Sequence, residues 1–513
     1  MRSSGIIMHI SSLPSKYGIG TFGKEAYEFA DFLSAAGQKY WQILPLGHTS
    51  YGDSPYQSFS AFAGNPYFID LDTLAEEGLL KLEDYNQLDF GNNPEQVDYE
   101  KMFNNRYKVL EIAFNNAKNI CFNEIIAFAF QEGQWLHDYA LFMSVKERMG
   151  MVGWQEWPED IKLRWNNAIC YYEHELEDRI LFWKFIQYEF FKQWNKLKSY
   201  VNSLEIEIIG DIPIYVASDS CDTWANPEIF KLDSSRNPTV VAGCPPDAFS
   251  KTGQLWGNPI YNWEYLEYTG YGWWINRIKE SLKLYNVIRI DHFRGFEAFW
   301  EIPFGNKTAA GGKWVKGPAI KLFDVIKNAL GDNLNIIAED LGYLTQSVID
   351  FRNATKFPGM KVLQFAFDTR EESEYIPHTY DKNCVVYTGT HDNDTIRGWM
   401  ETTGETKDIQ HAINYLKLTA NEGYTWGFIR GAWSSVGDIA ITQMQDLLNL
   451  GNTARMNYPS TLGGNWSWRM NQFELTEELT QKLHNITILY GRCINPEIEE
   501  IEETEEIEEV KEV

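Results

Sequence analysis

Asn286-Val287-Ile288-Arg289-Ile290-Asp291, Leu334-Asn335-Ile336-Ile337-Ala338-Glu339, and Cys384-Val385-Val386-Tyr387-Thr388 leading to His391-Asp392 decide how this chain folds. Each is a short apolar run that reads as a β-strand. Each then yields to a loop that carries an acid. The acids stand 48 and 53 residues apart, enough for a strand, a helix and two loops, with room for one extra strand or insertion. In a (β/α)8 barrel all strands run the same way, so acids at their C-terminal ends converge on one pocket. The expected fold is therefore α/β, a (β/α)8 TIM barrel with large, mostly helical insertions.

Working outward, residues 5–10 and 41–46 read as the first two strands, with a helical period over 25–36 between them. Strand-helix-strand is the unit of a parallel sheet. From about 71 to 200 the chain turns helical and aromatic, which predicts an insertion between barrel strands. The barrel rhythm resumes at 206–211. Further strands are expected at 287–290, 336–338, 361–367, 385–388 and 438–442, eight in all, with helices such as 319–329 and 408–421 between several of them. A segment from about 218 to 270, rich in Pro, Gly and Trp, is too long for a plain connection and is expected to be functional or to hold small elements of its own. Residues 1–495 are read as one catalytic unit and 496–513 as an acidic, flexible tail.

The chain has 513 residues, and its length alone would allow about three domains, but a decorated barrel absorbs that many in one. Net charge is −27, and the tail from Glu497 to Val513, with ten Glu and one Lys, supplies −9 of it. Such a surface repels phosphate backbones and anionic bilayers, so neither nucleic acid nor membrane is an expected partner, while an uncharged ligand is indifferent to it. The six cysteines show no C-x-x-C spacing, and no leader-like pattern or apolar run of roughly 18 residues occurs. A cytoplasmic protein is expected.

Cleaving an acetal between sugars requires a proton for the leaving oxygen and a counter-charge for an oxocarbenium-like centre, work for two carboxyls of different acidity. Three convergent acids could supply both and a third group to hold the sugar's hydroxyls. Arg289, two residues before Asp291 and so on the same strand face, would favour that acid's ionised form. Two other chemistries are weaker matches. Gly18-Ile19-Gly20-Thr21-Phe22-Gly23 has the form G-x-G-x-x-G, but Pro14 intervenes after the strand and Leu44-Pro45-Leu46 stands where an acid should end the next one. These glycines fit a loop lining the cleft. His391-Asp392 and Asp291-His292 offer metal ligands, but without H-E-x-x-H or comparable spacing. No metal and no cofactor are expected.

The segments Ile290-Asp291-His292-Phe293-Arg294-Gly295, Ala338-Glu339-Asp340-Leu341-Gly342 and Thr388-Gly389-Thr390-His391-Asp392-Asn393-Asp394-Thr395 resemble the active-site blocks of the amylomaltase (4-α-glucanotransferase, disproportionating enzyme) family, related to the α-amylase clan. Further blocks agree: Tyr51-Gly52-Asp53-Ser54-Pro55-Tyr56-Gln57-Ser58, Gly210-Asp211-Ile212-Pro213, Gly253-Gln254-Leu255-Trp256-Gly257-Asn258-Pro259, Arg455-Met456-Asn457 and Gly464-Asn465-Trp466. The resemblance runs from about 1 to 495 and is weak through the helical insertion.

It implies a retaining transfer of α-1,4-glucan segments between maltooligosaccharides, with Asp291 as nucleophile, Glu339 as general acid and then base, and Asp392 as transition-state stabiliser. It also implies that Arg289, His391 and Asp211 contact the reacting sugar, that Tyr56 stacks on it with Ser54 nearby, and that Asp368 lies on the acceptor side. Gln254, Trp256 and Asn258 belong to a substrate-binding block. The stretch Pro245-Pro246-Asp247-Ala248-Phe249-Ser250 matches the family's mobile loop over the cleft, where Phe249 and Trp256 would pack against glucan units; Ala248 stands where some relatives carry tyrosine. An α-amylase-type hydrolase and an inactive glucan-binding protein are the alternatives; oligomeric state and preferred glucan length are left open.

Overall fold

The computed structural model describes residues 2–50, 52–246, 250–342, 344–370 and 373–493; the acidic tail, Ala248 and Phe249 lie outside them. Twelve strands are seen among the described residues: β1 Ser3–Ile7, β2 Tyr40–Gln42, β3 Glu207–Ile212, β4 Val240–Cys244, β5 Gln254–Pro259, β6 Val287–Ile290, β7 Ala298–Pro303, β8 Lys313–Lys316, β9 Ile336–Ala338, β10 Gly359–Val362, β11 Cys384–Tyr387 and β12 Ile439–Gln443. Eight of them pair in parallel in the order β10-β11-β12-β1-β2-β3-β6-β9. The remaining seam is bridged by the Ala338 N–H, which donates to the Pro358 carbonyl at 2.9 Å. This is the (β/α)8 barrel.

Side-chain alternation explains why these short runs are apolar throughout. Ile7, Ile209, Val287, Ile337, Met360, Val362, Val385, Tyr387 and Ile441 form one cluster inside the barrel. Their neighbours Ile6, Ile208, Ile288, Ile336, Val386 and Ala440 point the other way, into the main core shared with the helices. Both faces of each strand are thus covered, and each such side chain contributes about 1.5–3 kcal/mol by leaving water. Gly210 is required by close packing: a Cβ there would meet the Tyr285 ring at 2.1 Å.

Between β2 and β3 lie the long helices Tyr99–Ile120, Phe122–Glu132, Gln134–Arg148 and Glu177–Ser203. The sixth barrel strand is shorter than the expected span 361–367. It stops at Val362 and turns into a 3-10 segment, Leu363–Phe367. Its partner β11 ends at Tyr387, so after the Gln364 N–H reaches the Thr388 carbonyl at 3.2 Å the ladder has no further strand to follow. The sequence reading also missed a four-stranded antiparallel sheet, β5-β4-β7-β8. Two of its strands fall in the Pro- and Gly-rich region 218–270, where the usual strand alternation is interrupted. The glycine-rich stretch 18–23 leads into helix Lys24–Ala35, with Gly23 at its N-cap.

Candidate active site

The parity that fills the barrel also builds the site. Asp211 follows Ile209 on the inward face of β3, Arg289 and Asp291 follow Val287 on β6, and Glu339 follows Ile337 on β9. Inward positions that are apolar lower down become charged at the C-terminal rim. Asp211 and Arg289 sit directly opposite one another in the β3–β6 register. Arg289 Nη1 donates to Asp211 Oδ2 at 2.5 Å and to Asp291 Oδ1 at 3.2 Å. Asp211 also accepts from the Tyr56 hydroxyl at 2.8 Å, while its Oδ1 is buried and has no hydrogen-bond partner among the described residues. The Tyr56 ring stacks on His391 at 5.2 Å, and Trp466 leans on both at 5.7 and 5.8 Å.

Glu339 is held by backbone. The His292 N–H donates to its Oε2 at 2.6 Å and the Leu341 N–H to its Oε1 at 3.1 Å. His292 makes its contact from a left-handed conformation, φ +52°, which costs a residue with a Cβ about 1–2 kcal/mol. Asp392 sits in a different cradle. His391 Nε2 is 3.3 Å from its Oδ2, Asn457 Nδ2 donates to its Oδ1 at 2.6 Å, and Arg455 donates to its main-chain carbonyl at 2.5 Å while pairing with Asp394.

These surroundings push the acids apart. Burial raises the Asp291 carboxyl; Arg289 pulls it down, but Glu339, Asp211 and Asp392 push it up again, and it remains raised. Glu339 is raised by burial, with Arg289 and the two backbone N–H groups offsetting only part. Burial would raise Asp392 too, but the charge on His391 and the hydrogen bonds from His391 and Asn457 outweigh it and hold that carboxyl well below the usual range. A raised carboxyl such as Glu339, able to hold a proton, beside one that stays ionised, Asp392, is a division of labour that acetal chemistry can use.

The remaining candidates are arranged around this core. On β5, Trp256 stands edge-on to His292 at 4.8 Å and bonds Gln254 Oε1 at 3.1 Å. Asn258 donates to the Val216 carbonyl at 2.8 Å and accepts from Gln57 at 3.2 Å, tying β5 to the loops after β2 and β3. Ser54 Oγ accepts the Tyr56 N–H at 3.3 Å. Asp368 stands apart: its carboxylate takes Arg370 side-chain donors at 2.8 and 2.6 Å, and among the described residues no hydrogen bond joins it to the acids. A cavity of about 390 Å³ lined by Tyr17, Glu25, Tyr27, Asp72 and Lys196 contains none of the acids. Among the described residues no group of three or more His, Cys, Asp or Glu is arranged to hold a metal ion.

The family model for 4-alpha-glucanotransferases matches residues 8–476. The chain belongs to that family. A 4-alpha-glucanotransferase of Clostridium butyricum is 59% identical to it over 487 residues, covering 95% of this chain and 100% of the relative. One from Streptococcus pneumoniae serotype 4 is 52% identical over 96% of this chain and 97% of its own. Among solved structures, amylomaltase from Streptococcus agalactiae in complex with acarbose superposes with a TM-score of 0.94 at 46% identity, covering 96% of this chain and 100% of that one. Within the 4-alpha-glucanotransferase site, Asn457, Arg455, Trp466 and His292 are neighbours that sequence reasoning did not assign. Asn457, Arg455 and Trp466 lie in blocks that carried the resemblance, but no strand end flags a loop asparagine as a clamp.

Proposed function

We propose that this 4-alpha-glucanotransferase moves α-1,4-glucan segments between maltooligosaccharides by double displacement with retention. Asp291 attacks the anomeric carbon and forms a covalent glucosyl-enzyme while Glu339 protonates the departing oxygen. Glu339 then takes the proton of an incoming sugar hydroxyl, which displaces Asp291. Asp392, ionised throughout, steadies the positive charge that develops in both steps. Tyr56 and Trp466 offer apolar faces to the C–H faces of the sugar ring.

The observation that carries the reading is geometric: Arg289 joins Asp211 and Asp291, Tyr56 links Asp211 to His391, His391 reaches Asp392, and the His292 N–H beside Asp291 holds Glu339, so the three acids share one cluster. The same reading takes residues 1–495 as one catalytic unit, Asp368 as an acceptor-side group, and the protein as cytoplasmic, in keeping with cysteines that form no disulfide among the described residues. Among the described residues no helix is long and apolar enough to cross a membrane. Incubation with maltotriose, with products separated by size, tests transfer: glucose plus a ladder of longer maltooligosaccharides is expected. Glucose and maltose alone would mean hydrolysis.

A further inference from the structure

The loop that carries His391 and Asp392 is closed at both ends by one buried carboxylate outside the cluster described above. Asp446 lies in the short helix Met444–Leu447, directly after β12, and is 1% exposed. Its Oδ2 accepts from the Thr388 hydroxyl at 2.9 Å and its Oδ1 from the Ile396 N–H at 2.8 Å. Thr388 is the first residue beyond β11, and Ile396 opens the helical turn after the loop. One side chain thus pins residues 388 and 396, the two ends of the segment that presents Asp392.

The adjoining residue serves the other half of the Asp392 cradle. Gln445 Nε2 donates to the Ala454 carbonyl at 3.2 Å, immediately before Arg455 and two residues short of Met456-Asn457. Asn452 joins the two loops, its Oδ1 accepting the Thr395 N–H at 3.2 Å. Both loops that grip Asp392 are therefore anchored on one turn of helix.

We infer that Asp446 is a positioning residue for glucan transfer, acting through Thr388 and Ile396 on the placement of Asp392. A buried carboxylate is expensive unless paired, and among the described residues Asp446 forms no ion pair; its bonds go to the ends of the Asp392 loop. A displacement of about 1 Å in a group that meets the transition state costs on the order of 100-fold in rate. Burial pushes the Asp446 carboxyl up to about 7, with the Ile396 and Thr388 donors offsetting only part, so a neutral amide is a mild replacement. Asparagine can accept from Ile396 and donate to Thr388 Oγ1, whose own proton can turn to Thr442 Oγ1, 2.9 Å away.

The inference rests on the reading of Asp392 as transition-state stabiliser, and Asp392→Asn alone tests that reading: full activity there would remove the premise whatever Asp446 does. The experiment measures kcat and KM on maltotriose for Asp446→Ala, Asp446→Asn and Asp446→Ala in the Asp392→Asn background, each per folded molecule. Asp446→Ala is expected to lower kcat roughly 30- to 100-fold with KM changed less than about threefold, and Asp446→Asn to recover most of it. In the Asp392→Asn background the same substitution should cost less than about twofold, because what it positions is gone. Unchanged kcat per folded molecule, or an equal loss in both backgrounds, overturns the proposal. If Asp446→Ala does not fold, Thr388→Val removes one arm; a loss of about 5- to 10-fold in kcat at constant KM supports the proposal, and wild-type kcat overturns it.

Discussion

Arg289 closes on Asp211 at 2.5 Å beneath the cleft, the guanidinium side chain 3% exposed and the carboxylate fully buried. Removing one member of such a pair leaves the other charge uncompensated, at a cost of about 3–5 kcal/mol. Asp211→Ala should therefore lower the denaturation midpoint sharply, and it should lower activity as well, since Arg289 is then free to turn wholly toward Asp291. Chemical denaturation of the variant beside wild type measures the first effect; an unchanged midpoint contradicts it.

Asp291→Asn should abolish turnover while leaving the fold intact, since the amide fills the same space. Glu339→Gln should lose on the order of 100- to 10,000-fold, the worth of a positioned acid-base group, yet keep accepting the His292 N–H. Steady-state assays of both variants check this, and an active Asp291→Asn would remove the nucleophile assignment. A retaining mechanism further requires the Asp291 and Glu339 carboxyls to lie about 5–5.5 Å apart, which a crystal structure with bound glucan can measure.

Asn457→Ala removes the 2.6 Å donor to Asp392, and a loss of about 10-fold in kcat is expected, below the 100-fold typical of a donor aimed at the reacting atoms themselves. The pH profile should separate the acids. Asp392 is held ionised far into the acid range, so it does not set the acid limb of kcat/KM. That limb should follow the Asp291–Glu339 pair, both raised, and stand above the ordinary carboxylate range near 4. A limb at or below pH 4 contradicts this.

Stability contributed by the buried, raised carboxyls should fall as the pH rises from about 4 to about 7. Burial raises the Asp446 carboxyl to about 7 and Asp222 to about 6. Between the unfolded value near 4 and these folded values the native state binds more protons than the unfolded chain, so each rise in pH through that window destabilises it. Asp392 acts in the opposite sense, its contribution present above the unfolded value and lost as the pH falls well below it. Asp446→Asn should flatten the decline between pH 5 and 8 by a few kcal/mol. Denaturation midpoints at the two pH values give the result, and an unaltered slope speaks against it.

The eight-strand plan was legible because barrel strands are apolar on both faces, and runs such as Val287–Ile290 and Ile336–Ala338 have the bounds that local composition predicts. The strand expected over 361–367 fails for a non-local reason: β11 ends too soon to pair with its second half. The antiparallel sheet carrying Trp256 was hidden by glycines and prolines that local reading treats as breaks.

The chain alone determined which residues are acids at strand ends, because the runs are marked by local composition and their strand-helix-strand order implies a parallel sheet. It also carried the blocks through which the family is recognised. Only the tertiary structure decided how those acids differ. Whether a carboxyl is raised, as Asp291 is, or lowered, as Asp392 is, depends on charges and donors contributed by Arg289, Glu339, His391 and Asn457. Three of these four come from other segments in one case or the other, and Coulomb interaction depends on separation in space rather than along the chain.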